Sequence, residues 1–83
     1  MMTHFVYIIF SEKTDKYYVG SSHNPEIRLL LHNDGATRFT KSGIPWKLVY
    51  TEMLENKSMA IKREFEIKRK KSRKYIQELI AKG

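Results

Sequence analysis

The first apolar segment of the chain restricts the possible folds more than any other feature of the sequence. Residues 4–10, HFVYIIF, are aromatic and β-branched, with apolar side chains on both faces of the expected strand. Such a strand has to be covered on both sides. A polar turn at 11–15 and a second short strand at 16–20, KYYVG, predict that the chain returns as an antiparallel hairpin.

One further segment has the character of a strand and supplies the third strand of the predicted sheet. Residues 46–53, WKLVYTEM, alternate along this strand. Leu48 and Tyr50 are expected on one face and Val49 on the other. The pattern does not show where the third strand joins the hairpin. The preceding residues 36–45 have no clear period and are predicted to form a loop with one helical turn.

The first predicted helix has clear signals at its start. Asn24 is a favourable N-cap, and Pro25 suits the first helical position. Arg28 and His32, four residues apart, lie together on the flank of an apolar stripe. That stripe is expected to consist of Ile27, Leu30 and Leu31.

Two more helices are predicted after the third strand. One runs from an Asn56 or Ser58 cap to about Lys71, and the other runs from a Ser72 cap to Ala81. The complete order is therefore strand, strand, helix, strand, helix, helix. With only three strands, this order predicts a small α/β sandwich in which helices flank both sides of one sheet.

Composition limits the possible functions. The 83 residues suit a single domain, 1–83. The absence of cysteine excludes disulfides and thiolate metal sites, and the longest apolar run, residues 5–10, is far shorter than the ~20 residues of a membrane span. We therefore expect a cytoplasmic protein with no membrane association and no small-molecule organic cofactor.

The net charge of +7 is distributed unevenly along the chain. Residues 1–33 are neutral overall, whereas residues 34–83 contain 13 basic and 6 acidic side chains. Such one-sided basicity favours a polyanionic partner, most often nucleic acid. Anionic membranes and simple solubility are the competing explanations.

A carboxylate occupies the apolar side of the helix before the last one. At 100° per residue, Glu64 lies on the side that should enter the core, and Arg63 lies on the solvent side. An uncompensated buried charge costs several kcal/mol, so Glu64 needs a partner. Lys68 is one candidate, because Glu followed by Lys at i,i+4 is a favourable pair. The apolar neighbours of the carboxylate are Ala60, Ile61, Phe65 and Ile67.

An ordered set of residues resembles a known nuclease family. The tripeptides FVY at 5–7 and YVG at 18–20 resemble the paired signature of the GIY-YIG nuclease superfamily. Arg28 and His32 follow in the first helix, and Glu64 follows in a later one. The resemblance covers essentially the whole chain and is strongest to the small bacterial members that consist of the nuclease domain alone.

This resemblance implies a metal-dependent DNA endonuclease that hydrolyses phosphodiester bonds. A helix-borne glutamate holds the divalent cation in the family, which assigns Glu64 to Mg²⁺ or Mn²⁺. Arg28 is assigned to the phosphate, because its planar cation offers several donors. The ion pair of Glu64 with Lys68 stays open as the other explanation of the carboxylate.

Tyr7 and Tyr18 are the remaining reacting positions that the resemblance implies. A phenol of pKa about 10 is only about 0.1% ionised at pH 7, so nearby cations have to lower the pKa of a tyrosine that acts as general base. Tyr7 is assigned as the base and Tyr18 as the residue that orients water or phosphate, although the roles can be exchanged. The two side chains share a face of the sheet only if paired residue numbers sum to an odd value.

Other positions of the motif have more than one possible role. His32 fits a proton carrier, a phosphate contact or a hydrogen-bond partner of another site residue. Gly20 either ends its strand or lets a backbone approach the site closely. Phe5 replaces the first glycine of the family signature. The asparagine that many family nucleases carry after the glutamate is absent, which predicts poorer positioning near the metal.

Two basic surfaces are candidates for phosphate contacts. One is KRKKSRK at 68–74, and the other is the loop around Phe39 and Trp46, although Trp46 itself is expected to anchor the core. The residues assigned to nucleic-acid binding are Arg38, Lys41, Lys68, Lys70, Lys71, Arg73 and Lys74. The alternative function is a basic nucleic-acid-binding module on the same fold that does not catalyse cleavage.

Overall fold

A computed structural model describes residues 3–83 of the protein. Three antiparallel strands form one sheet in the order β2-β1-β3, with β1 at His4–Ser11, β2 at Lys16–Ser22 and β3 at Trp46–Leu54. The predicted hairpin of β1 and β2 is confirmed. The third strand pairs antiparallel with the other edge of β1. The apolar β1 is therefore the central strand, which explains why its residues are buried on both faces.

Helices flank this sheet in the predicted order. The three α-helices are α1 at Pro25–Asn33, α2 at Lys57–Lys70 and α3 at Arg73–Lys82. A short 3-10 helix, Arg38–Gly43, occupies the segment predicted to be a loop with one helical turn. Among residues 3–83, no helix combines the length and apolar character needed to cross a membrane.

Capping side chains explain where the α-helices begin. Asn24, Asn56 and Ser72 each accept a hydrogen bond from the backbone amide three residues later, at 3.2, 2.9 and 3.1 Å. Each cap satisfies one of the amide groups that a helix start leaves without an intrahelical partner. Of the two caps predicted for α2, Asn56 is the one used.

Two apolar clusters hold the sheet to its helices. On one face, β1 and β2 pack against α2 and α3, and the buried members are Val6, Ile8, Val19, Ala60 and Ile67. We call the opposite face the tyrosine face, because Tyr7 is buried there together with Ile9 and Trp46. Leu29 of α1 covers part of this second cluster. The prediction that Trp46 anchors the core is confirmed.

A β-bulge in β3 changes which side chains share a face. Ile8 pairs with Tyr50 and Ile9 pairs with Leu48, so Val49 is an extra residue in the ladder. Leu48 consequently packs on the tyrosine face, whereas Val49 and Tyr50 pack on the opposite one. The prediction that Leu48 and Tyr50 share a face is therefore wrong, because strict alternation fails across a bulge.

The apolar stripe predicted for α1 does not enter the core. Its three members, Ile27, Leu30 and Leu31, are exposed. The helix instead turns His32, Pro25 and half-buried Leu29 toward the sheet. The prediction fails because the imidazole finds hydrogen-bond partners inside the protein, so a titratable side chain is buried in preference to leucine.

The solvent side of α2 also differs from its prediction. Phe65 is 60% exposed although it was expected in the core. Arg63, expected in solvent, is partly buried and binds both carboxylate oxygens of Glu52 through Nε at 3.1 Å. Because its charge is paired with Glu52, the Arg63 guanidinium is partly buried at a position where hydrophobicity alone would predict an apolar side chain.

Candidate active site

The strand register places both signature tyrosines on the same face of the sheet. Tyr7 of β1 lies opposite Gly20 of β2, and Ile9 lies opposite Tyr18. Tyr18 is two residues from Gly20, so its side chain points to the same side as that of Tyr7. The geometric condition set by the sequence is therefore met.

Gly20 makes room for the side chain of Tyr7. A Cβ atom placed on Gly20 would lie 2.5 Å from Tyr7 Oη and 2.6 Å from Cζ, far inside van der Waals contact. The phenol ring thus crosses the backbone of β2 at a point where only glycine fits. Of the two roles considered for Gly20, close approach is the one found.

Replacement of Gly20 by alanine is expected to displace the Tyr7 ring. The added methyl group overpacks a buried site, so the free energy of unfolding should fall by about 1–3 kcal/mol. Urea denaturation of the variant measures this loss. Ser21→Ala, at the next position of the same strand, is the matched control and should change stability by less. Equal stability of Gly20→Ala and wild type would contradict the close approach.

His32 of α1 is the centre of a buried hydrogen-bond chain. Its Nε2 lies 2.9 Å from Tyr7 Oη, and its Nδ1 lies 2.8 Å from Thr40 Oγ1 in the 3-10 helix. The Thr40 hydroxyl also lies 3.2 Å from the backbone oxygen of Thr37. The ring of Tyr18 packs edge-on against the imidazole at 5.1 Å between centroids. His32 is completely buried between these groups.

The backbone oxygen of Thr37 determines which group donates in each of these hydrogen bonds. A carbonyl oxygen only accepts, so we assign the Thr40 hydroxyl as donor to Thr37 and as acceptor from His32 Nδ1–H. The neutral imidazole then has an unprotonated Nε2, which accepts the hydrogen bond donated by the Tyr7 hydroxyl. The hydroxyl proton of Tyr7 is therefore directed at the unprotonated Nε2 of His32.

Burial sets the protonation states of this pair. Burial raises the pKa of Tyr7 above its ordinary value, and the Arg28 guanidinium opposes this shift through hydrogen bonding and charge. Burial and the charge of Arg28 both lower the pKa of His32. Arg28 thus lowers the pKa of Tyr7 as expected, but in the protein alone desolvation outweighs this effect and the net shift is upward.

Glu64 approaches the tyrosines from α2, beside the edge strand β2. Its side chain is only 16% exposed, and its charge helps to raise the pKa of Tyr7. Lys68 Nζ lies 2.6 Å from Glu64 Oε2 and 5.7 Å from the centre of the Tyr18 ring. The ion pair considered in the sequence is thus present. The five predicted site residues, Tyr7, Tyr18, Arg28, His32 and Glu64, lie together in the fold.

The donor set around Glu64 fits one hard divalent cation held mainly by groups from outside the protein. Among residues 3–83 there is no cluster of three or more His, Asp or Glu side chains suited to metal binding. Magnesium accepts one or two carboxylates and fills its other positions with waters and phosphate oxygens. A carboxylate that is mostly buried beside two phenols suits such a site, provided that Lys68 leaves it.

Replacement of Lys68 by glutamine is expected to tighten metal binding. Lys68 competes with any cation for Glu64, and a partly exposed ion pair of this kind contributes roughly 0.2–1 kcal/mol, which corresponds to a change in affinity of up to about fivefold. Titration with Mn²⁺ measures the affinity. Lys62→Gln, which removes the same charge from an exposed position of α2, is the control. An unchanged affinity in Lys68→Gln would show that the pair does not occlude Glu64.

Some of the side chains predicted to contact phosphate already interact with other residues of the protein. Arg73 binds the backbone oxygen and the carboxylate of Asp15, at 2.8 and 2.7 Å, and Lys68 binds Glu64. Lys70 stacks on the Tyr75 ring. All seven predicted contacts are exposed: Arg38, Lys41, Lys68, Lys70, Lys71, Arg73 and Lys74. A basic cleft of about 390 Å³ between β2 and the start of α3 leads to Tyr18, with Lys68 and Lys71 in its lining.

Sequence analysis missed Thr40, which orients His32. The residue lies in a segment without periodicity, and no charge or motif distinguishes it. Its position depends on Trp46, whose Nε1 donates to the Thr40 backbone oxygen at 2.7 Å. Asn33 fixes that tryptophan in turn through two hydrogen bonds to its backbone. Only the tertiary contacts reveal this support.

The comparisons with known proteins agree with the geometry. Residues 3–76 match the GIY-YIG catalytic domain. The chain belongs to this family. The resemblance noted at residues 5–7 and 18–20 is thereby confirmed. GIY-YIG proteins are generally endonucleases and generally depend on a divalent metal.

Relatives within the GIY-YIG family are small bacterial proteins. The UPF0213 protein of Staphylococcus saprophyticus is 42% identical over 82 residues, covering 94% of this chain and 99% of the relative. The UPF0213 protein of Staphylococcus haemolyticus is 44% identical over 69 residues, covering 82% and 83%. The solution structure of the UPF0213 protein of Bacillus halodurans matches with a TM-score of 0.59 at 28% identity, over 96% of this chain and 84% of that one.

Proposed function

We propose that this protein is a divalent-metal-dependent DNA endonuclease that hydrolyses phosphodiester bonds. The observation that carries the proposal is the directed hydrogen-bond chain from Tyr7 through buried His32 to Thr40, next to a mostly buried carboxylate. A buried tyrosine hydroxyl needs a hydrogen-bond partner, and a neutral imidazole is a partner that can also accept its proton. Membership of the GIY-YIG family supports the reaction class.

Tyr7 acts in this proposal as the base that receives the proton of the attacking water. As that proton arrives at Tyr7 Oη, the hydroxyl proton moves to His32 Nε2, and Nδ1–H stays bonded to Thr40. Such a relay avoids a free phenolate, which burial disfavours. Within residues 3–83, the Tyr18 hydroxyl has no comparable hydrogen-bond acceptor, which favours Tyr18 as the group that orients water or phosphate.

The relay needs additional positive charge to run. The proton ends on His32, whose pKa is lowered by burial and by the charge of Arg28, so the attacking water has to be made more acidic for the transfer to proceed. Arg28, beside the Tyr7 hydroxyl, stabilises developing negative charge on the phenol and on the phosphate. A divalent cation at Glu64 would acidify the attacking water and neutralise charge on the phosphate.

The substrate follows from the charge distribution. All of the net charge of +7 lies in residues 34–83, which contribute α2, α3 and the 3-10 helix. The basic side chains there suit sequence-independent contacts to phosphates. We propose DNA chosen by shape or accessibility as the substrate, the cytoplasm as the location, and one domain, 1–83, as the working unit.

A panel of supercoiled, single-stranded, flapped and branched DNA, incubated at low salt with Mg²⁺, Mn²⁺ or EDTA, tests the proposal. Cleavage by the wild-type protein that requires metal supports it and ranks the substrates. Salt-sensitive binding to the whole panel without cleavage in any metal would instead support the alternative of a basic binding module. That alternative is favoured by one observation, the Lys68 ammonium that already neutralises Glu64.

A further inference from the structure

The 3-10 helix Arg38–Gly43 presents three different faces, because residues i and i+3 of such a helix are eclipsed. Thr40 and Gly43 form its inner face and are buried. Arg38 and Lys41 form a second face, and both are exposed. Phe39 belongs to the third face and is 91% exposed, the highest value among the large apolar side chains found exposed.

The exposure of Phe39 does not come from a loosely held loop. Thr40, the next residue, contacts His32 through its side chain and Trp46 through its backbone oxygen. The Trp46 ring also lies against Gly43. The segment is therefore fixed from the inside, and the phenyl ring projects from an ordered support. A phenylalanine left in water forgoes roughly 1.5–3 kcal/mol of burial.

We infer that Phe39 is a stacking platform for an unpaired base of the DNA substrate. This inference rests on the proposed function and deepens it, because it specifies DNA with unpaired nucleotides within a few positions of the cleaved phosphate. An exposed aromatic ring flanked by cations is the arrangement with which proteins bind single strands. Arg38 and Lys41 supply those cations, and neither forms an ion pair with a side chain of residues 3–83.

The position of Phe39 links the platform to the proposed chemistry. Thr40 connects to Tyr7 Oη through one imidazole ring and two hydrogen bonds of 2.8 and 2.9 Å. Phe39 directly precedes Thr40, the last side chain of this hydrogen-bond series, and consecutive Cα atoms are only about 3.8 Å apart. A base on the phenyl ring therefore belongs to a nucleotide only a few positions from the phosphate at Tyr7.

Equilibrium binding in EDTA tests this inference without cleavage. The probes are a single-stranded oligonucleotide and a fully paired duplex of the same sequence, at low salt. Phe39→Ala should weaken single-strand binding by about tenfold and duplex binding by less than about twofold. Phe39→Trp should restore single-strand binding, and its new exposed indole should be quenched by the stacked base. Phe65→Ala, at the other exposed phenylalanine, is the matched control and should behave as wild type.

The outcomes separate this inference from the proposed function. Unchanged single-strand binding in Phe39→Ala, or an equal loss for single strand and duplex, would overturn the stacking role. Unchanged single-strand binding would indicate that the exposed ring of Phe39 contacts another kind of partner, such as a protein. Phe39-dependent binding in a protein that cuts nothing would retain the platform and reject the nuclease. Unchanged thermal melting of Phe39→Ala verifies that the fold is intact.

Discussion

Replacing Tyr7 by phenylalanine is expected to reduce DNA cleavage by roughly 10²- to 10⁴-fold, the usual contribution of a general base. The substitution removes one oxygen atom and keeps the ring that fills the space over Gly20. It also removes the only group in the relay that accepts the proton of the attacking water. DNA binding should be unaffected, because the phosphate contacts are assigned to Arg28 and the exposed basic side chains, and the Tyr7 hydroxyl is bonded to His32.

Single-turnover cleavage rates at saturating protein measure this loss, because saturation removes any contribution from binding. Tyr17→Phe is the matched control. Tyr17 is a half-buried neighbour of Tyr18 and packs in the cluster on the opposite face of the sheet, against α2 and α3. Its hydroxyl has no part in the relay. Cleavage by Tyr7→Phe at the wild-type rate would remove Tyr7 from the mechanism and shift the role of base to Tyr18.

Replacing Glu64 by glutamine is expected to abolish metal-dependent cleavage, with a loss of at least about 10³-fold. Loss of the metal removes a stabilisation of several kcal/mol from the transition state, and each 1.36 kcal/mol is tenfold in rate. Glutamine is nearly isosteric, so the packing of the mostly buried side chain is retained. Binding of DNA in EDTA should be unchanged or slightly stronger, since a negative charge is removed and Lys68 is released.

A neighbouring glutamate provides the control for Glu64. Glu66, two residues later on α2, pairs with Arg63 at 3.5 Å and lines a different pocket, together with Tyr75. Glu66→Gln should cleave DNA at a rate within about twofold of wild type. The cleavage assay is run on both variants at the same concentrations of metal and DNA. Residual metal-dependent activity in Glu64→Gln close to wild type would show that the carboxylate serves only as the partner of Lys68.

Local periodicity predicted which site residues share a face within one element, whereas the family resemblance implied that they form one site. Alternation in a hairpin puts Tyr7 and Tyr18 on one face once the register is right. Helical spacing of four residues puts Arg28 and His32 together. The position of Glu64 on the inner side of α2 follows from the same period. These relations extend over one turn of helix or two strands, so they are contained in the chain itself.

Features that depend on tertiary contacts could not be predicted from the sequence. The bulge at Val49 has no composition signal, and it reverses the faces of the residues after it. The exposure of Leu30 follows from the burial of His32 on the same helix. Burial also raises the pKa of Tyr7, a result that depends on how much water α1 and the 3-10 helix exclude. Solvent exclusion is a property of the packed protein.

In the proposed mechanism, Glu64 holds a divalent cation at the phosphate. The most direct measurement counts bound Mn²⁺ by electron paramagnetic resonance in complexes with uncut DNA. Tyr7→Phe is expected to slow cleavage enough for the uncut complex to be measured, so it is compared with the double variant Tyr7→Phe, Glu64→Gln. We predict one DNA-dependent Mn²⁺ ion in the single variant and none in the double variant. Equal Mn²⁺ binding by the two proteins would contradict the assignment of Glu64 and, with it, the proposed metal-dependent mechanism.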